Sequence, residues 1–320
     1  MLIVVITSSL IPSTQANPQL TLTVTTDKTS YYPEENVTIY GNLTLDGSPV
    51  TDGLVAIQVK NPKDQTVTIR TKTTGTPPSG TPYVGIRSLV PCNSTGGPKD
   101  SFRRGALAYF KLIVTNYDIE PREMLITVNT YYPNNVSFSL ASFKSTLEGL
   151  TTVTVMLCIP VPGDAILGNS TAYGNAYADW PSSNGWPYCS EASATFEITN
   201  GGFFQSTGTI TQQTITGQVN GNYNLTFQLA PQAEAGNNTI YATSRYYGEE
   251  ISISTTFQVK MLGDVNGDGK VNYKDLYLLL IAYGSSEEDP NYNPEADFNR
   301  DGKVNYKDLY ILLVNYGKTA

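Results

Sequence analysis

Apolar and polar residues alternate in short runs along most of the chain, and the pattern changes only near the C-terminus. From Leu20 to Thr74 the runs are LTLTVTT, NVTIYGNLT, GLVAIQVKN and TVTIRTKTT. A period of two places the apolar side chains on one face of a strand, so each run predicts a half-buried β-strand. Turn residues punctuate them at Pro33-Glu-Glu-Asn36, Asp46-Gly-Ser-Pro49 and Asn61-Pro-Lys-Asp64. From Gly208 to Val259 four more runs follow: GTITQQTITGQV, YNLTFQLA, NNTIYATSRYY and ISISTTFQV. Four strands are too few to close a sandwich. The two blocks, residues 20–75 and 205–260, are therefore expected to build one discontinuous sandwich. Between them, Arg104 to Thr199 carries six further runs at regular spacing, predicting a second sandwich over 85–200 inserted into the first. Pro77-Pro78-Ser-Gly80 and Gly201-Gly202 fit hinges at the two crossings.

After Gly263 the period lengthens to that of a helix. Leu276, Leu279, Leu280 and Tyr283 recur at helical spacing, as do Leu309, Leu312, Leu313 and Tyr316, and these eight are expected to form a small two-helix core. Tyr277, Leu278, Ile281, Tyr310, Ile311 and Val314 are apolar as well. A helix apolar all round must be buried all round, so a further surface is expected over the outer face. Two covers stay open: the chain's own preceding sandwich, which no linker separates from this segment, or a partner protein. Leu278 and Ile311 would sit in that contact, with Tyr273, Lys274, Tyr306 and Lys307 as its rim.

Each of these helices follows a loop that occurs twice. DVNGDGKVNYKDLYLLLIAYG begins at Asp264 and DFNRDGKVNYKDLYILLVNYG at Asp297, 33 residues on, with 16 of 21 positions identical. Calcium takes about six to eight hard oxygen ligands, and a loop of about twelve residues supplies them from alternate positions. In the first loop Asp264, Asn266 and Asp268 take positions one, three and five, the Lys270 carbonyl position seven, Asn272 the water-bridged ninth, and Asp275 the twelfth. The second repeats the set with Asp297, Asn299, Asp301, Lys303, Asn305 and Asp308. Gly269 and Gly302 allow the sharp turn at position six. Residues 263–320 hold ten Asp/Glu against six Lys/Arg, a net of −4, which two Ca²⁺ would neutralise. Clustered carboxylates repel one another without a cation, so folding of this segment is expected to be coupled to metal.

A pair of loop-plus-exiting-helix repeats, with Asp at position twelve and no entering helix, resembles a type I dockerin over residues 263–317, about a sixth of the chain. The resemblance implies two calcium loops holding two antiparallel helices that dock into a cohesin domain of another protein. The family's recognition residues fall at loop positions ten and eleven, often Ser-Thr, which here are Tyr273-Lys274 and Tyr306-Lys307. That difference points away from a cellulosomal cohesin and leaves protein–protein docking in place. Upstream, the order of strands and turns resembles macroglobulin-type immunoglobulin-like domains for the outer sandwich and adhesion-type ones for the inserted sandwich, both found in prokaryotic, particularly archaeal, surface proteins. The fold class is thus mainly β: two immunoglobulin-like sandwiches plus a small α EF-hand-like module over 261–320.

Composition narrows the function. The chain has 320 residues, a net charge of −8 and no histidine. Acidity argues against nucleic acid or an anionic membrane as partner. Absence of histidine removes Ser-His-Asp and Cys-His nucleophile systems and the HExxH zinc site, and no other motif resembles an enzyme core. Residues 1–16, MLIVVITSSLIPSTQA, read as a secretory signal peptide or as an uncleaved membrane tether, too short for a span of about 20 residues. Seven N-x-S/T sequons, at Asn36, Asn42, Asn93, Asn135, Asn169, Asn224 and Asn237, agree with export. Of three cysteines, Cys92 and Cys189 both read as loop residues and are expected to form a disulfide, leaving Cys158 free in an apolar run. The loop from Ala178 to Tyr188 concentrates Trp180, Trp186 and Tyr188. It reads either as a sugar-stacking platform or as a loop folded on its own aromatics. The function expected is a secreted or surface-attached, non-enzymatic protein that docks through its calcium module. An accessory glycan-binding component of polysaccharide breakdown, or a module that only stabilises its own chain, are the alternatives.

Overall fold

The computed structural model describes residues 18–200 and 220–319. The N-terminal sixteen-residue segment and the run GTITQQTITGQV lie outside these residues. The described residues are mainly β, with α-helices only in the C-terminal module.

The first sandwich draws strands from both ends of the β region. Asn36–Leu45 pairs with Leu20–Leu22 on one side and with Asn222–Gln228 on the other. The facing sheet runs in the order Ser30–Tyr31, Glu249–Val259, Gly236–Tyr246, Leu54–Lys60, Thr66–Thr73. Residues before 75 and after 220 therefore share both sheets. Their inward positions, among them Ile39, Leu43, Ile57, Phe227, Ile240 and Phe257, form one buried core, and each such side chain contributes roughly 1.5–3 kcal/mol.

The second sandwich packs a three-stranded sheet, Thr152–Pro160, Leu107–Asn116 and Val84–Cys92, on a five-stranded one. The latter runs in the order Ser137–Leu147, Arg122–Tyr131, Gly168–Tyr177, Ala192–Thr199, Ser101–Arg103. Ala108, Phe110, Leu112 and Val114 alternate into the core against Phe102, Ile126 and Phe196. The strand Val84–Cys92 was not expected, because Gly85 and Pro91 interrupt its pattern. It lies at a sheet edge, where a proline's missing N–H costs no ladder bond.

The expected disulfide fails in this region, and the aromatic loop follows the second of its two readings, folded on its own aromatics. Cys92 is the last residue of a strand, and all three cysteines are free thiols. The Cys189 thiol lies against the backbone of Ile86. Cys92 sits six residues further along that strand, roughly 20 Å away at strand rise, where a bridge needs Cα atoms within about 7 Å. The aromatic loop is mostly interior: Trp186 and Tyr188 are buried and pack edge to face at 4.7 Å. Trp180 packs on Ile69, Leu125 and Tyr177 between the sandwiches.

The sandwiches meet along the free edge of Thr66–Thr73. The Ile69 N–H donates to Asn129 Oδ1 at 3.1 Å, and the Thr71 N–H to Glu191 Oε2 at 3.3 Å. Arg70, 4% exposed, forks onto Glu191 at 2.6 and 2.7 Å and lies 3.2 Å over the Tyr173 ring. Burial pushes the Glu191 carboxyl up, but the Arg70 guanidinium outweighs it and holds the group below the usual glutamate range.

Candidate functional site

The C-terminal module consists of two loops, each running into a helix, Tyr273–Ala282 and Tyr306–Asn315. Each helix starts the same way. Asn272 accepts the Lys274 N–H at 2.9 Å while Asp275 accepts the Asn272 N–H at 2.8 Å, a reciprocal capping box. Asn305 and Asp308 repeat it. Asn272 and Asn305, expected at the water-bridged position, are thus also the residues that start the helices.

The carboxylates organise the loops around themselves. Asp264 accepts from the Asp268 and Gly269 N–H groups at 3.2 and 2.8 Å, and Asn266 accepts from Asp268 at 2.9 Å. Asp275, fully buried, also reaches back to the Val265 N–H at 3.0 Å. In the second loop Asp297 accepts from Gly302 at 2.9 Å and from the Tyr292 hydroxyl at 2.8 Å. Asp308 accepts from Asn299 at 3.2 Å, and Asn299 from Asp301 at 3.0 Å. Gly269 and Gly302 both take the left-handed conformation at the turn, φ +77°.

The donor set fits a hard cation. Asp297 Oδ1 is buried without any partner, a desolvated oxygen that a bound ion would satisfy. Burial, followed by the Asp275 charge, pushes the Asp264 carboxyl up against its backbone hydrogen bonds. Among the described residues no three His, Cys, Asp or Glu side chains stand close enough to grip a metal by themselves. Each loop reaches a calcium donor count only when Asn266 or Asn299 and the Lys270 or Lys303 carbonyl are included. Lys270 and Lys303 carry exposed side chains, consistent with a role for the backbone alone.

Placement of the helix faces differs from expectation. Asp275 must point inward, and its helical neighbours Leu278, Leu279 and Ala282 follow it. Leu279, Ala282 and Leu312 are buried, while Leu276, Leu278, Leu309 and Ile311 pack partly buried on that core. Leu278 and Ile311 thus belong to the inner side. Leu280, Tyr283, Leu313 and Tyr316, expected in the core, are about half exposed, at 53, 46, 54 and 48%. They join Tyr277, Ile281, Tyr310 and Val314 on an outer apolar face, with Tyr273 and Tyr306 at 69% exposure beside it. Lys274 and Lys307 are exposed too, and Lys307 donates to Asp301 at 3.0 Å. Among the described residues, the preceding sandwich does not cover this face. It touches the module elsewhere, through Tyr32, which inserts into a core of Val265, Val271 and Phe298. No local signal in the sequence marks Tyr32 for this role.

Residues 262–315 match the dockerin type I domain family, whose members bind calcium. No curated protein matches the chain. Among solved structures, one similar chain belongs to a type II cohesin–X–dockerin complex from Acetivibrio cellulolyticus, a C-terminal interface mutant, at 27% identity. It covers 32% of this chain and 72% of that one, with a TM-score of 0.18. The C-terminal domain of wzt is similar at 9% identity, 43% of this chain, 86% of that chain and TM-score 0.30. A Paenibacillus sp. cycloisomaltooligosaccharide glucanotransferase, complexed with cycloisomaltoheptaose, is similar at 12% identity and TM-score 0.29, over 36% of this chain and 14% of that one. The chain therefore spans a small part of that enzyme's length. The C-terminal segment is a type I dockerin-like module that follows β-sandwich domains.

Proposed function

We propose that this chain is a secreted or cell-surface, non-enzymatic protein whose module, loaded with two Ca²⁺, docks noncovalently onto a cohesin-like partner. The observation that carries the reading is the doubled outer face. Two near-identical helices leave equivalent apolar stripes uncovered, Tyr277-Leu280-Ile281 and Tyr310-Leu313-Val314, and an uncovered patch of that kind marks an interaction site. The ligands would be Asp264, Asn266, Asp268, Lys270 (carbonyl), Asn272 and Asp275, with Asp297, Asn299, Asp301, Lys303 (carbonyl), Asn305 and Asp308. Bound calcium would supply the positive charge that gathers these carboxylates. The chain's own contribution is to hold the loop backbone, start each helix at Asn272 or Asn305, and present the stripe. The sandwiches, bounded at 20–75 with 205–260 and at 85–200, act as a spacer that carries the module away from its surface.

The N-terminal segment as an export signal or tether, and the sequons, support an extracellular setting. Among the described residues no helix is long and apolar enough to cross a membrane. A second reading, the module as a stabiliser of its own chain, is favoured by the insertion of Tyr32 into the module core. Pull-down of surface proteins by the full chain, with calcium and with EGTA, tests the first reading. Calcium-dependent capture of a cohesin-like protein is expected, and calcium-independent capture or none would refute it.

A further inference from the structure

The two loops differ most at position four, and that position is where the second one meets the sandwich. Gly267 and Arg300 both take the left-handed conformation, φ +70° and +57°. A Cβ at Gly267 would meet nothing within 4 Å. Arg300 holds an arginine in a backbone conformation that suits glycine, and its side chain crosses to the first sandwich. There the guanidinium donates to Glu35 and lies 4.6 Å over the Tyr32 ring. Glu35 is fixed in turn by the Tyr32 N–H at 2.6 Å and Lys28 Nζ at 2.8 Å.

A second crossing lies just before the same loop. The Tyr32 hydroxyl donates to Glu295 at 2.8 Å, and Lys260, the residue after the last strand, donates to both Glu295 oxygens at 2.6 and 2.7 Å. Glu295 stands two residues before Asp297 and Arg300 three after it. The polar crossings to the sandwich thus bracket the first ligand of the second loop. A cavity of about 340 Å³ at the seam is lined by Lys28, Glu35, Lys260, Glu295, Asp297 and Arg300, among others. The first loop's own position four, by contrast, faces open space.

We infer that the second loop is an interdomain clamp: the first sandwich holds it in the calcium-ready shape, and calcium bound there fixes the module on the sandwich. The inference rests on the calcium reading above. Reciprocity is thermodynamic, because whatever tightens the ion through the clamp must be tightened by the ion equally. The first loop carries no such contact at position four and meets Tyr32 through the apolar Val265 and Val271 instead, so the two near-identical loops have different work: the second carries the charged crossings that set the module's attachment, and the first does not.

Calcium titration of the full-length chain by calorimetry tests this. Glu35→Gln lies in the sandwich and touches no ligand. In an Asp264→Asn background, where the second loop alone keeps its full ligand set, it is expected to weaken that site about tenfold relative to Asp264→Asn alone. In an Asp297→Asn background it is expected to leave the first-loop site unchanged. Arg300→Gly gives the second loop the residue of the first and relieves the left-handed backbone, yet it is expected to weaken the same site. A tighter second site in Arg300→Gly, no change with Glu35→Gln, or equal weakening of both sites would overturn the clamp while leaving the calcium reading intact. A parent chain that takes up no calcium would defeat both.

Discussion

The Gly317 N–H donates to the Val271 carbonyl at 2.8 Å, and the Val271 N–H to the Lys318 carbonyl at 3.0 Å. The residues that leave the second helix thus close on the end of the first loop. The reverse pairing joins Val304 to Gly284 and Ser285, at 2.8 and 3.0 Å. Each loop is tied to the exit of the other helix, so damage to one repeat must reach its twin.

Removal of residues 317–320 should therefore harm the first loop although it deletes no ligand. Two hydrogen bonds of about 0.5–1.5 kcal/mol each are lost. Calorimetry should show first-loop calcium binding weakened roughly tenfold, with the second loop less affected. Equal affinities before and after truncation would contradict the exchange of exits.

Asp275→Ala should be worse than Asp264→Ala, because Asp275 also closes the capping box and bonds Val265. Loss of the cap alone costs about 1 kcal/mol. Circular dichroism at saturating calcium should show less helix in Asp275→Ala than in Asp264→Ala, whereas Lys270→Ala should keep both helix content and affinity.

The outer and inner helix faces can be separated by charge. Leu280→Asp with Leu313→Asp should bind calcium and melt like the parent but lose the partner. Leu278→Asp with Ile311→Asp should unfold the module, since both residues pack on its core. Identical behaviour of the two pairs would mean that the inner face is not set by Asp275 and Asp308.

Thiol labelling should find three free cysteines on unfolding. In the native chain Cys158, exposed on its strand, should react first. Cys189 should resist, because burial pushes its thiol up to about 11 and keeps it protonated. A native chain with only one titratable thiol after unfolding would restore the disulfide.

Breaking the Arg70–Glu191 pair should destabilise the sandwiches together. Glu191→Gln leaves a buried guanidinium short of its counter-charge, at a cost of about 3–5 kcal/mol. Because the folded Glu191 carboxyl is held below its ordinary value, its contribution is present above the unfolded value of about 4.3 and is lost as pH falls through the lower folded value. Acid titration of thermal stability should show this loss in the parent and not in Glu191→Gln.

The loops were legible because ligand spacing is a local property: alternate oxygens and a glycine at the turn can be read off one short segment. Most strands were legible for the same reason, as in Leu107–Asn116, where every second residue from Ala108 to Val114 is apolar and buried. The helix faces were not, because leucine and tyrosine occur on all sides. The inward direction is fixed by Asp275, a polar residue whose burial depends on the loop it serves. Val84–Cys92 was hidden by Gly85 and Pro91, which signal a break unless the strand is known to lie at an edge. The seam residues Tyr32, Glu35 and Arg300 carried no signal, since their partners are distant in sequence.

The covered edge of Thr66–Thr73 bears on how this protein can be cut and joined. Bare strand edges recruit other chains into fibrils, and here Asn129 and Glu191, both from the inserted sandwich, occupy the N–H groups of Ile69 and Thr71. The insertion is therefore no removable bead on a string. Excising residues 85–200 to make a shorter scaffold would leave a sticky flank and a stranded Arg70, and the trimmed product would be an aggregation hazard in the expression host.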